Sequence, residues 1–214
     1  MAQPAVLQEE ERQEIEIKNK KTKRKRVPKE LIYEMRHGKP IYYRDYDKVL
    51  SGEKTLEEVM GSSFLQSWLV MIIAGYIYNL LDKTKYLVLT NELGFKFAPR
   101  SWRNLDIAIF KKEKIKQYIE MEYNQYVPIA PEVVIEIDTK ADLRKFSSPI
   151  DYFVEKTEDL LQADVQKVIW LFTKVKKIWV AEKGKDWRLK NWNEDIEVIE
   201  GITINVQKML EENK

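Results

Sequence analysis

Cysteine is absent from the sequence, and among its 214 residues there is only one histidine, His37. The lack of cysteine excludes disulfide scaffolds, thiolate zinc sites and cysteine nucleophiles, and it agrees with a reducing compartment, so we expect a cytoplasmic protein. A single histidine argues against a His-rich metal site and against a histidine-based catalytic pair. Any hydrolytic chemistry therefore has to rely on carboxylates, lysines and hydroxyl groups.

Long uninterrupted hydrophobic runs are also scarce. The chain has no charged residue between Glu58 and Asp82, and residues 64–81 are mostly apolar. Polar residues interrupt this segment, and its length lies near the lower limit for a membrane span. We interpret it as a helix buried in a globular core and expect no membrane partner; a membrane-associated protein that uses residues 60–81 is the weaker hypothesis.

Positive and negative charges are nearly balanced, with 37 Lys and Arg against 35 Asp and Glu and a formal net charge of +2. The basic residues cluster near the N-terminus, where residues 18–26 read KNKKTKRKR. Such a run repels itself and cannot bury a core, so we interpret residues 1–28 as a charged, mobile extension. Contact with phosphates is the alternative interpretation of this run.

Hydrophobic periodicity and turn residues divide residues 29–214 into strands and helices. A β-hairpin is expected over residues 31–43, and a long helix is expected from an N-cap at Ser63 to about Leu81. Further strands are predicted at 86–90, 94–98, 105–110, 133–137, 168–172, 178–181, 187–192 and 196–199, and further helices at 149–161 and 205–210. This order predicts one α/β (α+β) domain with a mixed central sheet flanked by helices.

Two acidic residues lie inside apolar strands, Asp106 in LDIAIF and Glu136 in VVIEI. A carboxylate in such a place must pair with a base, lie at an exposed strand end or bind a cation. If the two strands are neighbours, their acids meet, and carboxylate oxygens are ligands that Mg²⁺ prefers. Asp138 follows Glu136 by two residues and would supplement the site from the same face of a continuing strand. Salt-bridged structural acids are an equally good interpretation of this spacing.

A lysine close to the acids would orient the attacking water or neutralise the developing charge of a phosphate. Two lysines are candidates. Lys140 follows Glu136 by four residues, and Lys156 lies on the next predicted helix. Glu34 and Glu92 could join the site, but we interpret them as a surface acid or a turn residue.

Four separated segments carry a resemblance to a known family. They are GSSFLQSWLV from residue 61, RNLDIAIF from residue 103, PEVVIEIDTKADL from residue 131, and DYFVEKTEDLLQADVQKVIWLF from residue 151. Their order resembles that of the Uma-type restriction endonuclease family, within the PD-(D/E)XK nuclease superfamily, and the resemblance covers about residues 31–200. It implies a restriction-endonuclease-like fold over residues 29–214.

The resemblance also implies a function, that of a DNA endonuclease dependent on Mg²⁺ or Mn²⁺. Asp106 and Glu136 match the metal-binding acids of the family, and Lys156 matches its helix lysine, with Lys140 as the substitute. DNA is the implied partner, and a homodimer would suit a nuclease that cuts both strands.

The sequence departs from the family pattern at three positions. Leu105 stands where proline precedes the aspartate, Asp138 occupies the usual position of the lysine, and Gln66 stands where many members have histidine. The last two departures favour the alternative function, a catalytically inactive module of the same fold that binds DNA or a protein partner.

Overall fold

The computed structural model describes residues 27–121 and 125–214. The basic run at 18–26, and with it nearly all of the predicted N-terminal extension, lies outside the described residues. Within them the strands are, in chain order, β1 (Ile32–Arg36), β2 (Lys39–Tyr42), β3 (Tyr86–Ala98), β4 (Ser101–Lys111), β5 (Val133–Ile137), β6 (Lys167–Phe172), β7 (Lys177–Glu182), β8 (Arg188–Asn191), β9 (Ile196–Ile199) and β10 (Ile202–Ile204).

Helices surround these strands. The α-helices of the described residues are α1 (Tyr46–Ser51), α2 (Leu56–Met60), α3 (Phe64–Leu80), α4 (Lys112–Glu120), α5 (Pro149–Gln162) and α6 (Val206–Glu212). Two single turns of 3₁₀-helix, Lys29–Leu31 and Leu143–Lys145, precede β1 and α5.

The larger sheet is mixed and has the strand order β2-β1-β4-β5-β6-β7-β8, with β3 paired to β4. Its neighbouring strands are antiparallel except β5 and β6, which are parallel and are connected through α5. A parallel pair needs such a crossover helix. The remaining strands, β9 and β10, form a separate two-stranded sheet. The predicted mixed sheet flanked by helices is confirmed.

Each face of the larger sheet buries its own apolar cluster, because alternate residues of a strand point to opposite faces. Ile135 on β5 belongs to the cluster that includes Leu69 and Ile73 of α3. Its neighbour Val134 belongs to the cluster that includes Tyr152 of α5. All five residues of β5 are buried, which explains its almost entirely apolar sequence.

The long helix α3 begins where the sequence predicts. The side chain of Ser63 accepts the backbone N–H of Gln66 at 3.2 Å and so caps the first turn. Leu69, Ile73 and Ile77 are fully buried against the sheet. None of the helices in the described part of the chain has the length and apolar character needed to cross a membrane.

Besides α1 and β10, which the sequence did not predict, two segments differ from the expectation. Residues 86–90 and 94–98 belong to one strand, β3, because Asn91 and Glu92 adopt left-handed backbone conformations and form a bulge instead of ending the strand. The charged segment after residue 111, expected to be only a connection, contains α4. Its apolar residues Ile115, Tyr118 and Ile119 follow the spacing of a helix, and Ile115 is buried.

Candidate active site

Asp106 and Glu136 lie next to each other where β4 and β5 separate. The ladder between these strands pairs residues 107–109 with residues 135–133, so Asp106 and Glu136 are the next positions in register. At this point the Oδ2 of Asp106 accepts the backbone N–H of Ile137 at 2.7 Å. The Asp106 side chain thus takes the place of a hydrogen bond between the two strands. The carboxylates of Asp106 and Glu136 therefore share one gap between β4 and β5.

Both carboxylates are almost completely buried, with 6% of Asp106 and 1% of Glu136 exposed. Burial raises the pKa of Asp106 to about 6, although the N–H of Ile137 and the charge of Lys156 oppose this. Burial also raises the pKa of Glu136 well above its usual value; Lys156 opposes this shift, and Asp106 adds to it. The site therefore disfavours the negative charge of both acids.

The helix α5 presents three polar side chains to this gap. Its start is defined by Pro149 and by the backbone N–H of Ser148, which donates to the Asp151 carboxylate at 2.9 Å. One face of the helix then carries the buried residues Tyr152, Lys156 and Asp159, which are spaced i, i+4 and i+7.

Lys156 is the lysine that the structure places against Glu136. Its Nζ lies 3.0 Å from the Oε2 of Glu136 and 2.9 Å from the Oε1 of Glu34, and it donates to the backbone oxygen of Asn104 at 2.7 Å. Burial alone would lower the pKa of Lys156, but Glu136 and Glu34 outweigh burial and raise it. The ammonium group therefore stays protonated, with three acceptors around it.

Glu34 is a member of this cluster that the sequence interpretation missed. It was expected to be a surface acid, which is wrong, because Glu34 is fully buried. Its Oε2 accepts hydrogen bonds from Arg103 at 2.8 Å and from the Tyr152 hydroxyl at 2.9 Å. Burial acts to raise the pKa of Glu34, but Lys156 and Arg103 hold it below its usual value. Arg103, two residues before the LDIAIF run, was the available sequence signal.

Further ion pairs connect this cluster to charged residues nearer the surface. Arg103 also pairs with Glu155 and Asp159, and both of these acids pair with Arg36. The connected cluster consists of five carboxylates, on Glu34, Asp106, Glu136, Glu155 and Asp159, and three cations, on Arg36, Arg103 and Lys156. When all of them are ionised, two negative charges are left without a counter-ion.

The other candidate lysine has a different partner. Lys140 forms an ion pair with Glu92 and donates to the backbone oxygen of Met60 at 2.9 Å. Glu92, half-buried at the bulge of β3, lies close enough to Asp106 for its charge to raise the pKa of Asp106. Lys140 is therefore the counter-ion of Glu92, at the border of the site.

The carboxylate of Asp138 forms its hydrogen bonds with a different part of the chain from Asp106 and Glu136. The strand β5 ends at Ile137, and Asp138 has a φ of 53°, so the alternation that would carry its side chain to the face of Glu136 does not continue. Its carboxylate instead accepts hydrogen bonds from the backbone N–H of Thr173, at 3.0 Å, and from the Thr173 hydroxyl. Across the described residues, no three His, Cys, Asp or Glu side chains form a group that could hold a metal ion.

An open cleft of about 530 Å³ lies next to Gln66, although neither Asp106 nor Glu136 lines it. Gln66, at the start of α3, lines this cleft, and its Nε2 also lies 3.4 Å and 3.5 Å from the two carboxylate oxygens of Asp106. Basic residues from three different segments line the same cleft, namely Arg44, Lys54, Lys140 and Lys174. Gln66 thus contacts both the cleft and Asp106.

The two acids fit a divalent cation. The Oε1 of Glu136 is buried without a hydrogen-bond partner in the described part of the chain, which is costly unless something binds it. Burial raises the pKa of both acids even though Lys156 lies 3.0 Å from Glu136, so one ammonium group does not balance the two carboxylates. Mg²⁺ commonly takes only one or two protein carboxylates and completes its shell with water and phosphate oxygens.

Comparison with known proteins supports the fold. No family model matches the sequence, and no curated protein matches it. Among solved structures, the chain is similar to a protein from Anabaena variabilis ATCC 29413 described as a "putative nuclease belonging to DUF820". The TM-score is 0.62 at 14% sequence identity, over 83% of this chain and 89% of that chain. The likeness shows a fold shared with that protein.

Proposed function

We propose that this protein is a metal-dependent nuclease that hydrolyses phosphodiester bonds of DNA, with Asp106 and Glu136 as the ligands of Mg²⁺ or Mn²⁺. The observation that supports this most is the adjacency of the two buried acids on separating strands, with one oxygen of Glu136 left unpartnered. The shared fold with a protein described as a nuclease gives independent support.

The cation would supply Lewis-acid chemistry, which polarises a phosphate and lowers the pKa of a bound water. The residues of the chain prepare the site for this. Lys156 holds one oxygen of Glu136 at 3.0 Å and leaves the other free. Glu34, fixed by Arg103, orients Lys156 in turn. The ammonium group also contributes positive charge near the position where a phosphate would become more negative.

The cleft provides a place for the nucleic acid. Arg44 and Lys174 line it beside the ion pair of Lys54 with Asp45, and basic side chains attract phosphates regardless of base sequence. A phosphate that enters the cleft meets Gln66 before Asp106, because Gln66 contacts both. We therefore expect Gln66 to contact the substrate or a water molecule that accompanies it.

Cleavage of supercoiled plasmid DNA tests the proposal. We expect nicked and linear products in Mg²⁺ or Mn²⁺, no products in EDTA, and a loss of at least about a hundredfold in rate for Asp106→Asn and Glu136→Gln. Asp138→Asn is the matched control, and it keeps most of the activity if only two carboxylates bind the metal. Undiminished cleavage by the Asp106 or Glu136 variants would reject this site, and cleavage of single-stranded RNA alone would reject the choice of DNA.

A catalytically inactive DNA-binding or protein-binding module is the second candidate function. It is favoured by the full set of acceptors around Lys156 and by the near-complete burial of Asp106 and Glu136. Isothermal calorimetry with Mn²⁺ distinguishes the two functions. The nuclease must bind Mn²⁺ and lose this binding in Asp106→Asn, whereas the inactive module can bind DNA with no Mn²⁺ at all.

A further inference from the structure

The side of α3 that faces away from the sheet is apolar and exposed. Its residues follow one another at intervals of four, three, four and three, which is the spacing of a helix–helix seam. They are Phe64, Trp68, Met71, Gly75 and Tyr78, and we call them the α3 stripe. Phe64 is 81% exposed, Met71 72% and Tyr78 51%, whereas Trp68 and Gly75 are half-buried. A stripe of large apolar side chains in this state is typical of an interaction surface.

Nothing in the described part of the chain requires a glycine at position 75. A glycine inside a helix is destabilising by about 1 kcal/mol relative to alanine. The backbone of Gly75 has no positive φ, and a Cβ built on it would meet no atom within 4 Å. What glycine does allow at this position is the close approach of another backbone from outside.

The stripe is suited to pairing with itself. A two-fold dimer sets the same patch of each copy against the other, so a charged patch would repel its own copy. No charged residue occurs between Glu58 and Asp82, so α3 itself carries no charge; the Lys83 ammonium lies 4.4 Å from the centroid of the Tyr78 ring, at the end of the stripe. In an antiparallel pair, large side chains of one stripe would lie against Gly75 of the other, where no side chain occupies the space. Such an alternation of large and small residues allows two helices to pack closely.

The exposed area is close to what a dimer needs. Aromatic side chains bury about 150–250 Å² each, so the exposed fractions of Phe64, Met71 and Tyr78 amount to roughly 400 Å² per copy. Two copies would then bury about 800 Å² before flanking residues such as Tyr76 are included, against about 1,000 Å² for a specific interface.

We propose that the α3 stripe is a dimer interface, at which α3 of a second copy of this chain packs antiparallel to the first. Its consequence for catalysis rests on the proposed nuclease function. Because a helix rises 1.5 Å per residue, the two Gln66 residues would lie about 10–20 Å apart along the helix axes, the scale of a groove of duplex DNA. Such a dimer would offer one cleft to each strand.

Sedimentation velocity of the full chain over a hundredfold range of concentration tests the interface. We expect a dimer for the wild type, a monomer for Met71→Glu, and at least a tenfold weaker dimer for Gly75→Leu. Leu189→Glu is the matched control, because Leu189 is 68% exposed on β8, away from α3, and we expect it to leave the dimer unchanged. Circular dichroism spectra of the variants confirm that each is folded.

Cross-linking provides a second readout that does not depend on nuclease activity. The chain has no cysteine, so Met71→Cys introduces a single thiol at the middle of the stripe. We expect Met71→Cys to form a covalent dimer under mild oxidation and Leu189→Cys to stay a monomer. A wild-type monomer at every concentration, or a dimer that survives Met71→Glu, would overturn the proposal. A monomer that floats with phosphatidylcholine vesicles through Met71 would also overturn it and assign the stripe to a lipid surface.

Discussion

Replacing Asp106 by asparagine should stabilise the metal-free protein at pH 8. Burial raises the pKa of Asp106 from the ordinary 3.8 to about 6, so the folded state holds this proton more tightly than the unfolded state does. Well below pH 3.8 the carboxyl is protonated in both states and contributes nothing. As the pH rises from about 4 to 6, the unfolded chain loses its proton first, and the folded state becomes less favourable. Above pH 6 the whole penalty is present.

The size of the effect follows from the same numbers. The difference between 3.8 and about 6 corresponds to about 3 kcal/mol, at about 1.4 kcal/mol for each pKa unit. Asparagine has the same shape, and its side-chain oxygen can still accept the N–H of Ile137. The amide group of asparagine must also be buried, which reduces the free energy gained. We expect a net gain of about 1–2 kcal/mol, or roughly 2–8 °C in Tm for a domain of this size.

Thermal unfolding in EDTA at pH 8 and at pH 5 is the assay. The gain of Asp106→Asn over the wild type should be smaller at pH 5, where part of the penalty is already absent. Mn²⁺ should raise the Tm of the wild type at pH 8 and leave that of the variant unchanged. Asp138→Asn is the control and should lose stability, because the carboxylate accepts hydrogen bonds from both the N–H and the hydroxyl of Thr173, and an amide has only one oxygen to accept them. A less stable Asp106→Asn at pH 8, or equal gains at both pH values, would refute the reasoning.

Two further substitutions test the packing around the acids. Lys156→Met should lower the free energy of unfolding by about 3–5 kcal/mol, because it leaves Glu136 buried without a cation and Glu34 with Arg103 alone; urea denaturation measures this, and a loss below about 1 kcal/mol would contradict it. Gly94→Ala should cost about 1–3 kcal/mol, because the added Cβ would overlap the ring of Tyr126. An unchanged Tm for Gly94→Ala would show that the Tyr126 ring moves aside freely.

The two acids could be found from the sequence because each leaves a local signal, whereas Lys156 was one of two candidate lysines. Asp106 and Glu136 interrupt apolar strands, and Lys156 lies on the helix that follows the second of them. The structure brings these three residues together. Whether they bind metal and cleave DNA stays a prediction.

Glu34 and Asp138 show where local patterns fail. Glu34 looks like the polar residue of an alternating strand, and its burial is explained only by Arg103, 69 residues further along the chain, and by Lys156. Asp138 looks like a continuation of β5, but its backbone turns into the left-handed region, and its carboxylate bonds Thr173, 35 residues away. Neither partner can be inferred from the residues nearby.

The amino-acid sequence by itself determined the apolar strands and helices and their order along the chain. It also restricted any hydrolytic chemistry to carboxylates, lysines and hydroxyl groups. Hydrophobic periodicity acts over a few residues, so it can be read locally. Only the tertiary structure decided which lysine neutralises Glu136, that Glu34 joins it, and that Lys140 pairs with Glu92. The reason is that charge pairing in a buried site depends on the register of distant strands and on the rotation of α5, and no short segment specifies either.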